Sequence, residues 1–204
     1  MREDLRAPQS DAAAARDIAV RAGGQSLAAT IPRLARAQLF ENLDGILGPD
    51  GRRWAALNAK VAHSDALDLI QSADDVVAPY RADMTALGVS QTKLASALSN
   101  HCYSYEVVFH WHDALTPIHR SAVKPAVLEA HGHSPPNPEA KELVKVLRSA
   151  TVKLFQTKGA ASNQIGRTYP FVTALSQPTS DLIRKVKAQL DPKGLMNPGV
   201  LELT

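Results

Sequence analysis

Cysteine is almost missing from this sequence: Cys102 is the single one among 204 residues. That excludes an internal disulfide and makes a reducing compartment the expected setting. Cys102 lies in an apolar and aromatic segment and reads as packed, not reactive. No apolar run approaches the roughly 18 residues that a membrane span requires. The N-terminus (Arg2, Glu3, Asp4, Arg6) carries charge where a secretory signal would carry its apolar core. A cytoplasmic protein without a membrane span is expected. An excess of one charge sign is lacking too. The formal charge is +3, scattered along the chain, which argues against a nucleic-acid partner. There is no G-x-G-x-x-G, and Gly23-Gly24 alone is no phosphate-binding turn. His110-x-His112 is an H-x-H pair without further ligand spacing, so no metal is expected.

What is present is an ordinary globular composition, 45% apolar and 21% charged, in a chain long enough to bury a sizeable core. Ser10-Asp11 is placed to cap an alanine-rich helix that stops at Gly23-Gly24. A second helical stretch starts near Ser26 and runs towards Leu47, ended by the turn Gly48-Pro49-Asp50-Gly51. Trp54–Val61 reads as a strand. Ser64 or Asp65 caps a helix towards Leu87-Gly88 that Pro79 should kink. Residues 90–98 and 102–112 read as two antiparallel strands around Ser99-Asn100. In the second, Tyr103, Tyr105, Val107, Phe109 and Trp111 fall on one face, and Ser104, Glu106, Val108, His110 and His112 on the other. Residues 113–133 show no regular pattern, and Ser134–Pro138 is a stiff connection. Glu139–Lys158 is a helix with its stripe at Ala140, Leu143, Val144, Leu147, Leu154 and Phe155. A last helix, capped by Thr179 or Ser180, is expected to turn Leu182, Ile183, Val186 and Leu190 inward. The pattern is α+β, an antiparallel sheet flanked by helices, with residues 1–25 as an N-terminal helical extension and 26–204 as one domain.

Four segments carry more information than composition does. The tail Asp191-Pro-Lys-Gly-Leu-Met-Asn-Pro-Gly199 stops a helix at Asp191-Pro192 and bends at Gly194 and again at Asn197-Pro198-Gly199. Upstream lie Leu47-Gly-Pro-Asp-Gly-Arg-Arg-Trp54 with Val61-Ala-His-Ser64, then Tyr105-Glu-Val-Val-Phe-His-Trp-His-Asp-Ala-Leu-Thr-Pro117, then Gly159-Ala-Ala-Ser-Asn-Gln-Ile-Gly-Arg-Thr-Tyr-Pro-Phe171. In this order they resemble the C-terminal, substrate-side cap domain of the FAD-linked oxidases, the flavoenzymes of the vanillyl-alcohol oxidase, p-cresol methylhydroxylase, glycolate oxidase D-subunit and D-lactate dehydrogenase type. Val107 and His110 depart from the family pattern, which prefers Pro and Tyr there. The H-x-G-D-G-N-x-H metal segment of the 2-hydroxy acid relatives is absent.

The resemblance implies an FAD cofactor, bound through a flavin-binding domain that these residues do not contain and that would be the partner. It also implies a small alcohol, hydroxy acid or phenol as substrate, oxidised by hydride transfer to the flavin. An apolar surface left by the missing partner would favour a homo-oligomer. The resemblance assigns Arg167 to holding an anionic substrate, work suited to its fixed, permanently charged fork, with Tyr169 beside the substrate and Asn197 near the flavin. The residues themselves leave Arg167 open to being a surface loop residue, Tyr169 a loop anchor and Asn197 plain turn chemistry. Glu106, His110 and His112 share a strand face, where a histidine would accept the substrate hydroxyl proton; the same face would equally serve as solvated surface. A non-catalytic interaction or regulatory domain that keeps the cap fold is the alternative.

Overall fold

The computed structural model describes residues 6–37, 47–98, 100–131, 134–162, 164 and 166–203. The chain divides into two compact units, 1–43 and 44–204. In the first, α1 (Arg6–Arg21) and α2 (Thr30–Ala37) are exposed along their described side chains. Helix α1 begins before Ser10-Asp11, which is therefore not its cap, and α2 begins four residues after Ser26. Of the expected run of the second helix towards Leu47, residues 38–46 lie outside the described residues.

The second unit is an α+β layer structure. Strands β1 (Arg52–Val61), β2 (Ser90–Leu98) and β3 (Cys102–His112) form an antiparallel sheet in the order β1-β3-β2. The register pairs Asn58 with Glu106 on one side of β3 and Leu94 with Glu106 on the other. Odd positions of β1 and β3 bear the core: Ala55, Leu57, Ala59, Tyr105, Val107 and Phe109 are buried against helices. The other face holds Arg52, Trp54, Glu106, Val108, His110 and His112, of which Glu106, Val108 and His110 are half-buried and Trp54 is 51% exposed. Two-residue alternation in β3, visible in the sequence, thus sorts the strand into a packed face and an open one.

Helix α3 (Ala66–Val77) supplies Leu69, Ala73 and Val77 to the core. At Pro79 the chain passes through a 3₁₀ turn, Ala78–Tyr80, into α4 (Arg81–Ala86), so the expected kink is found. The stretch that looked irregular contains two short helices, α5 (Pro117–Ala122) and α6 (Pro125–His131), each opened by a proline. Proline is well suited to a first helical position, where its missing N–H costs nothing. Buried His119 closes the first turn of α5, its Nδ1 accepting from the Thr116 amide at 3.2 Å.

Helix α7 (Pro138–Thr157) is capped by Asn137, whose side chain accepts from the Ala140 amide at 3.1 Å. It buries Ala140, Val144, Leu147, Thr151 and Phe155, essentially the expected stripe. Helix α8 (Gln177–Leu190) differs from expectation twice. Its N-cap is Ser176, and of the four residues expected inward only Ile183 is half-buried, with Leu182 61%, Val186 48% and Leu190 73% exposed. Amphipathic spacing makes the stripe but supplies no partner for it. No helix among the described residues is long and apolar enough to cross a membrane.

Candidate functional site

The four segments singled out in the sequence are joined side by side in space. β1 pairs with β3 along its whole length. The segment after α7 then closes the outer edge of β1: Lys60 and Ala161 exchange backbone hydrogen bonds at 2.8 and 2.9 Å, and the Asn58 amide donates to the Tyr169 hydroxyl at 2.6 Å. The tail is fastened to that segment in turn. The Leu201 amide donates to the Gly166 carbonyl at 2.8 Å, and Arg167 Nη2 donates to the Pro198 carbonyl at 2.6 Å. The Glu202 carboxylate accepts from the Phe171 and Thr173 amides, both at 3.0 Å. These bonds hold Leu201 and Glu202 at φ of 59° and 60°, a left-handed conformation that non-glycine residues rarely take.

The tail folds around Asp191, a buried residue at the end of α8. Its carboxylate receives Lys187 Nζ at 2.5 Å and the amides of Leu195 and Met196 at 2.9 and 2.8 Å. The Lys187 hydrogen bond first, then the Met196 and Leu195 amides, hold the carboxyl below its ordinary range against a smaller opposing effect of burial. A depressed folded-state pKa stabilises the fold fully above the unfolded carboxylate value of about 3.9 and loses that contribution as pH falls through the lower folded value. Asp191→Asn is therefore expected to lower the melting temperature at neutral pH, with the gap to wild type narrowing once pH falls below the unfolded carboxylate value of about 3.9 and closing as it passes through the lower folded-state value, where the folded carboxyl is itself protonated. A gap that stays constant from neutral to acid pH would refute this role.

A cavity of about 490 Å³ opens between the end of α7 and the segment 159–175. Phe155, Phe171 and Leu175 give it apolar walls, and Asn58, Ser162 and Tyr169 give it polar ones. Asn58 Oδ1 accepts from Lys60 Nζ at 2.9 Å and from Ser162 Oγ at 3.3 Å. Burial lowers the Lys60 pKa, with nearby Glu106 pulling the other way. Burial likewise raises the Tyr169 hydroxyl, opposed by the Asn58 amide and Ser162.

Beside the cavity runs an open groove of about 670 Å³, lined by Lys145, Arg148, Lys153, Arg167 and Thr168 among others; Val152 and Gln156 line both spaces. The groove lining includes four cations and no carboxylate. Arg148 Nη2 reaches Thr168 Oγ1 at 3.3 Å, while its buried Nε has no hydrogen-bond partner. Lys145 has Glu142 at 2.6 Å.

The residues chosen from sequence are distributed as follows. Glu106, His110 and His112 do share the open face of β3, but each sits in its own surroundings. Glu106 lies across from Asn58 near the cavity. His110 Nε2 meets Thr92 Oγ1 at 2.8 Å. His112, exposed, sits 3.7 Å from the Asp50 carboxylate at the turn before β1. Arg167 belongs with α7 and the tail; the groove it lines contains no residue of β3, so His110 is not part of it. Tyr169 is buried as an acceptor at the β1 edge, the loop-anchor role. Asn197 is exposed at φ 47°, its carbonyl accepting from the Val200 amide at 3.1 Å, which is turn chemistry. Among the described residues no group of three or more His, Cys, Asp or Glu could hold a metal ion. Asn58, Lys60, Ser162 and Arg148 were missed. Asn58 and Lys60 were recognisable as polar positions alternating with apolar ones in β1; the register that sets them beside Glu106 leaves no local signal.

No family model, no curated protein and no solved structure matches this chain.

Proposed function

We propose that residues 44–204 are the substrate-side portion of an FAD-dependent oxidoreductase acting on a small organic anion that bears an oxidisable alcohol or phenol. The observation that carries this reading is the contiguity of the four segments: β3 beside β1, the 159–171 segment on the edge of β1, and the tail on that segment. Segments that resemble parts of one substrate site in the FAD-linked oxidases are thereby parts of one body here.

The flavin would supply the hydride acceptor. Its pyrophosphate needs a cradle of backbone N–H groups, and the sequence offers no glycine-rich turn for one. The residues present therefore fit the ring side of the cofactor alone: the open sheet face, with exposed Trp54 beside Val108 and His110, gives a planar ring a surface to lie on. Asn197 sits on the tail that the Arg167–Pro198 hydrogen bond fastens to the substrate segment, which supports its cofactor assignment. The chain's own contribution is binding and proton handling. The cavity takes the apolar body of the substrate, and Arg167 and Arg148 in the adjoining groove take its anionic group, which a guanidinium fork pairs bidentately. Of the three β3 candidates Glu106, across from Asn58, is nearest the cavity; His110 is two steps further along the same face, roughly 13 Å away, and His112 one step beyond that. The open face and the bare stripe of α8 favour the second reading, an interaction domain without catalysis.

The test reconstitutes the chain with a flavin-binding domain and follows bleaching of the flavin spectrum under anaerobic addition of small hydroxy acids, alcohols or phenols. Reduction is expected only in the reconstituted pair, and the chain alone is expected to hold no stoichiometric FAD. Arg167→Ala should weaken substrate binding by about 1.5–3 kcal/mol, the range for a hydrogen bond to a charged group, and Arg167→Lys should recover only part of it. Flavin that no member of these substrate classes reduces would reject the flavoenzyme reading. Unchanged KM in Arg167→Ala would reject the anion site.

A further inference from the structure

The two edges of the sheet are treated differently. The outer edge of β1 is engaged at Asn58 and Lys60 by Tyr169 and Ala161. β2, at the opposite edge, pairs among the described residues with β3 only, and every one of its residues except Gln91 is exposed.

The register shows which backbone groups β2 leaves free. Lys60 exchanges both its hydrogen bonds with Ala161, so its N–H and C=O point away from β3. Backbone direction alternates along an antiparallel strand. Even positions of β1 therefore point outward and odd ones towards β3; even positions of β3 point towards β2. Their partners in β2, Ser90, Thr92, Leu94, Ser96 and Leu98, face inward. The N–H and C=O groups of Gln91, Lys93, Ala95 and Ala97 are directed to the free edge.

This edge lacks the usual protections. β2 is nine residues long, pairs without a bulge, contains no proline and has one lysine, Lys93, which is engaged with Asp74. Such a strand is a template for another.

We propose that β2 pairs antiparallel with β2 of a second copy of this chain, about a two-fold axis through Leu94, to give a continuous six-stranded sheet. The sequence of β2 fits itself in that register. Nine residues meet nine, and the four outward residues all pair, Gln91 with Ala97 and Lys93 with Ala95 of the second copy. The two lysines are kept apart, whereas a register centred on Lys93 would set them face to face. Leu94, 61% exposed on the open face, meets its own symmetry mate. That pair is of the non-hydrogen-bonded kind, in which side chains come closest. Main-chain hydrogen bonds supply the affinity, as in strand addition generally, and the leucine pair fixes the register. The interface is isologous, so it closes at two copies.

The proposal does not depend on the flavin reading: it is tested on the chain alone, and a monomer would leave that reading standing. Sedimentation equilibrium is expected to give a dimer. Ala95→Pro removes an outward N–H without touching the β2–β3 bonds, a position proline tolerates at a strand edge. It should raise the dimer dissociation constant at least tenfold, with the circular dichroism of the wild type. Leu94→Cys in a Cys102→Ser background should cross-link spontaneously to a covalent dimer under mild oxidation, because opposed Cβ atoms at that spacing are within disulfide reach; this readout holds even if Ala95→Pro unfolds. A chain that stays monomeric up to high concentration overturns the proposal. So does a dimer that fails to cross-link through the introduced thiol, or one that a folded Ala95→Pro variant keeps unchanged.

Discussion

Replacing Phe109 with alanine is expected to cost about 3–5 kcal/mol of folding stability, as for burying-to-cavity truncations of a fully packed aromatic. Phe109 lies on the central strand β3, between Ala55 of β1 and Gln91 of β2, and has no solvent exposure. It belongs to the cluster formed with Leu57, Leu69, Val77, Val144 and Leu147, contributed by β1, α3 and α7. Its neighbours are strands and helices with their own hydrogen-bond ladders, so they are poorly able to collapse into the space it leaves. A loss of this size is a large share of the roughly 5–15 kcal/mol that holds a domain together. Val108→Ala, one residue earlier but on the open face, should cost less than about 1 kcal/mol. Denaturant midpoints of the two variants measure the contrast. A Phe109→Ala loss no larger than that of Val108→Ala would mean that the odd face of β3 is not the packed one.

That contrast rests on a feature the sequence already displayed. Residues 102–112, Val108 aside, alternate aromatic or aliphatic with polar, and β3 follows the alternation in its burial from Tyr105 to Phe109. The α7 stripe was equally readable, because Ala140, Val144, Leu147 and Phe155 recur at helical spacing and all are buried. The short helices α5 and α6 were hidden by Pro117 and Pro125, which look like breakers until their place at the first helical position is known. The stripe of α8 shows the opposite limit. Leu182, Val186 and Leu190 are spaced as a buried face would be, yet spacing records only that an apolar face exists. Whether anything covers it depends on the rest of the fold.

The site was legible in the same partial way. The sequence placed Glu106, His110 and His112 on one strand face, and that face is intact. It marked Gly166-Arg167 as a loop next to the tail, and Arg167 does bond Pro198. Which side of the sheet receives that loop is set by the path from Gly159 around the edge of β1. That path depends on a pairing between Lys60 and Ala161, a hundred residues apart in the chain, for which no local signal exists. The association of Asn58, Lys60, Ser162 and Glu106 has the same origin: three separate segments are brought together by register and loop path, so no local spacing reveals it.

Gly48→Ala is expected to be the most damaging substitution available at the turn that starts the sheet, by about 2–5 kcal/mol, the sum of left-handed strain of about 1–2 kcal/mol and the overpacking that follows a forced clash. Gly48 has φ +69°, and a Cβ built there would lie 1.9 Å from the Arg52 carbonyl oxygen and 2.8 Å from its carbon. Those atoms are backbone at the first residue of β1, so relief requires moving the strand or opening the turn. The turn in turn organises its surroundings. The Gly51 amide donates to the Gly48 carbonyl at 2.9 Å, the Asp113 amide to the Gly51 carbonyl at 2.9 Å, and Asp50 receives the Arg52 amide at 3.1 Å. Opening it therefore loosens β1 at its start and β3 at its end together, where His112 faces Asp50. Gly88 is the control. Its φ is +67°, nearly the same, but a Cβ there meets nothing within 4 Å, so Gly88→Ala should cost only the conformational strain, about 1–2 kcal/mol. Chemical denaturation of both variants separates the two contributions. Equal losses at Gly48 and Gly88 would show that the turn yields freely, and that the Gly-Pro-Asp-Gly segment is set by backbone conformation alone and not by close packing against β1.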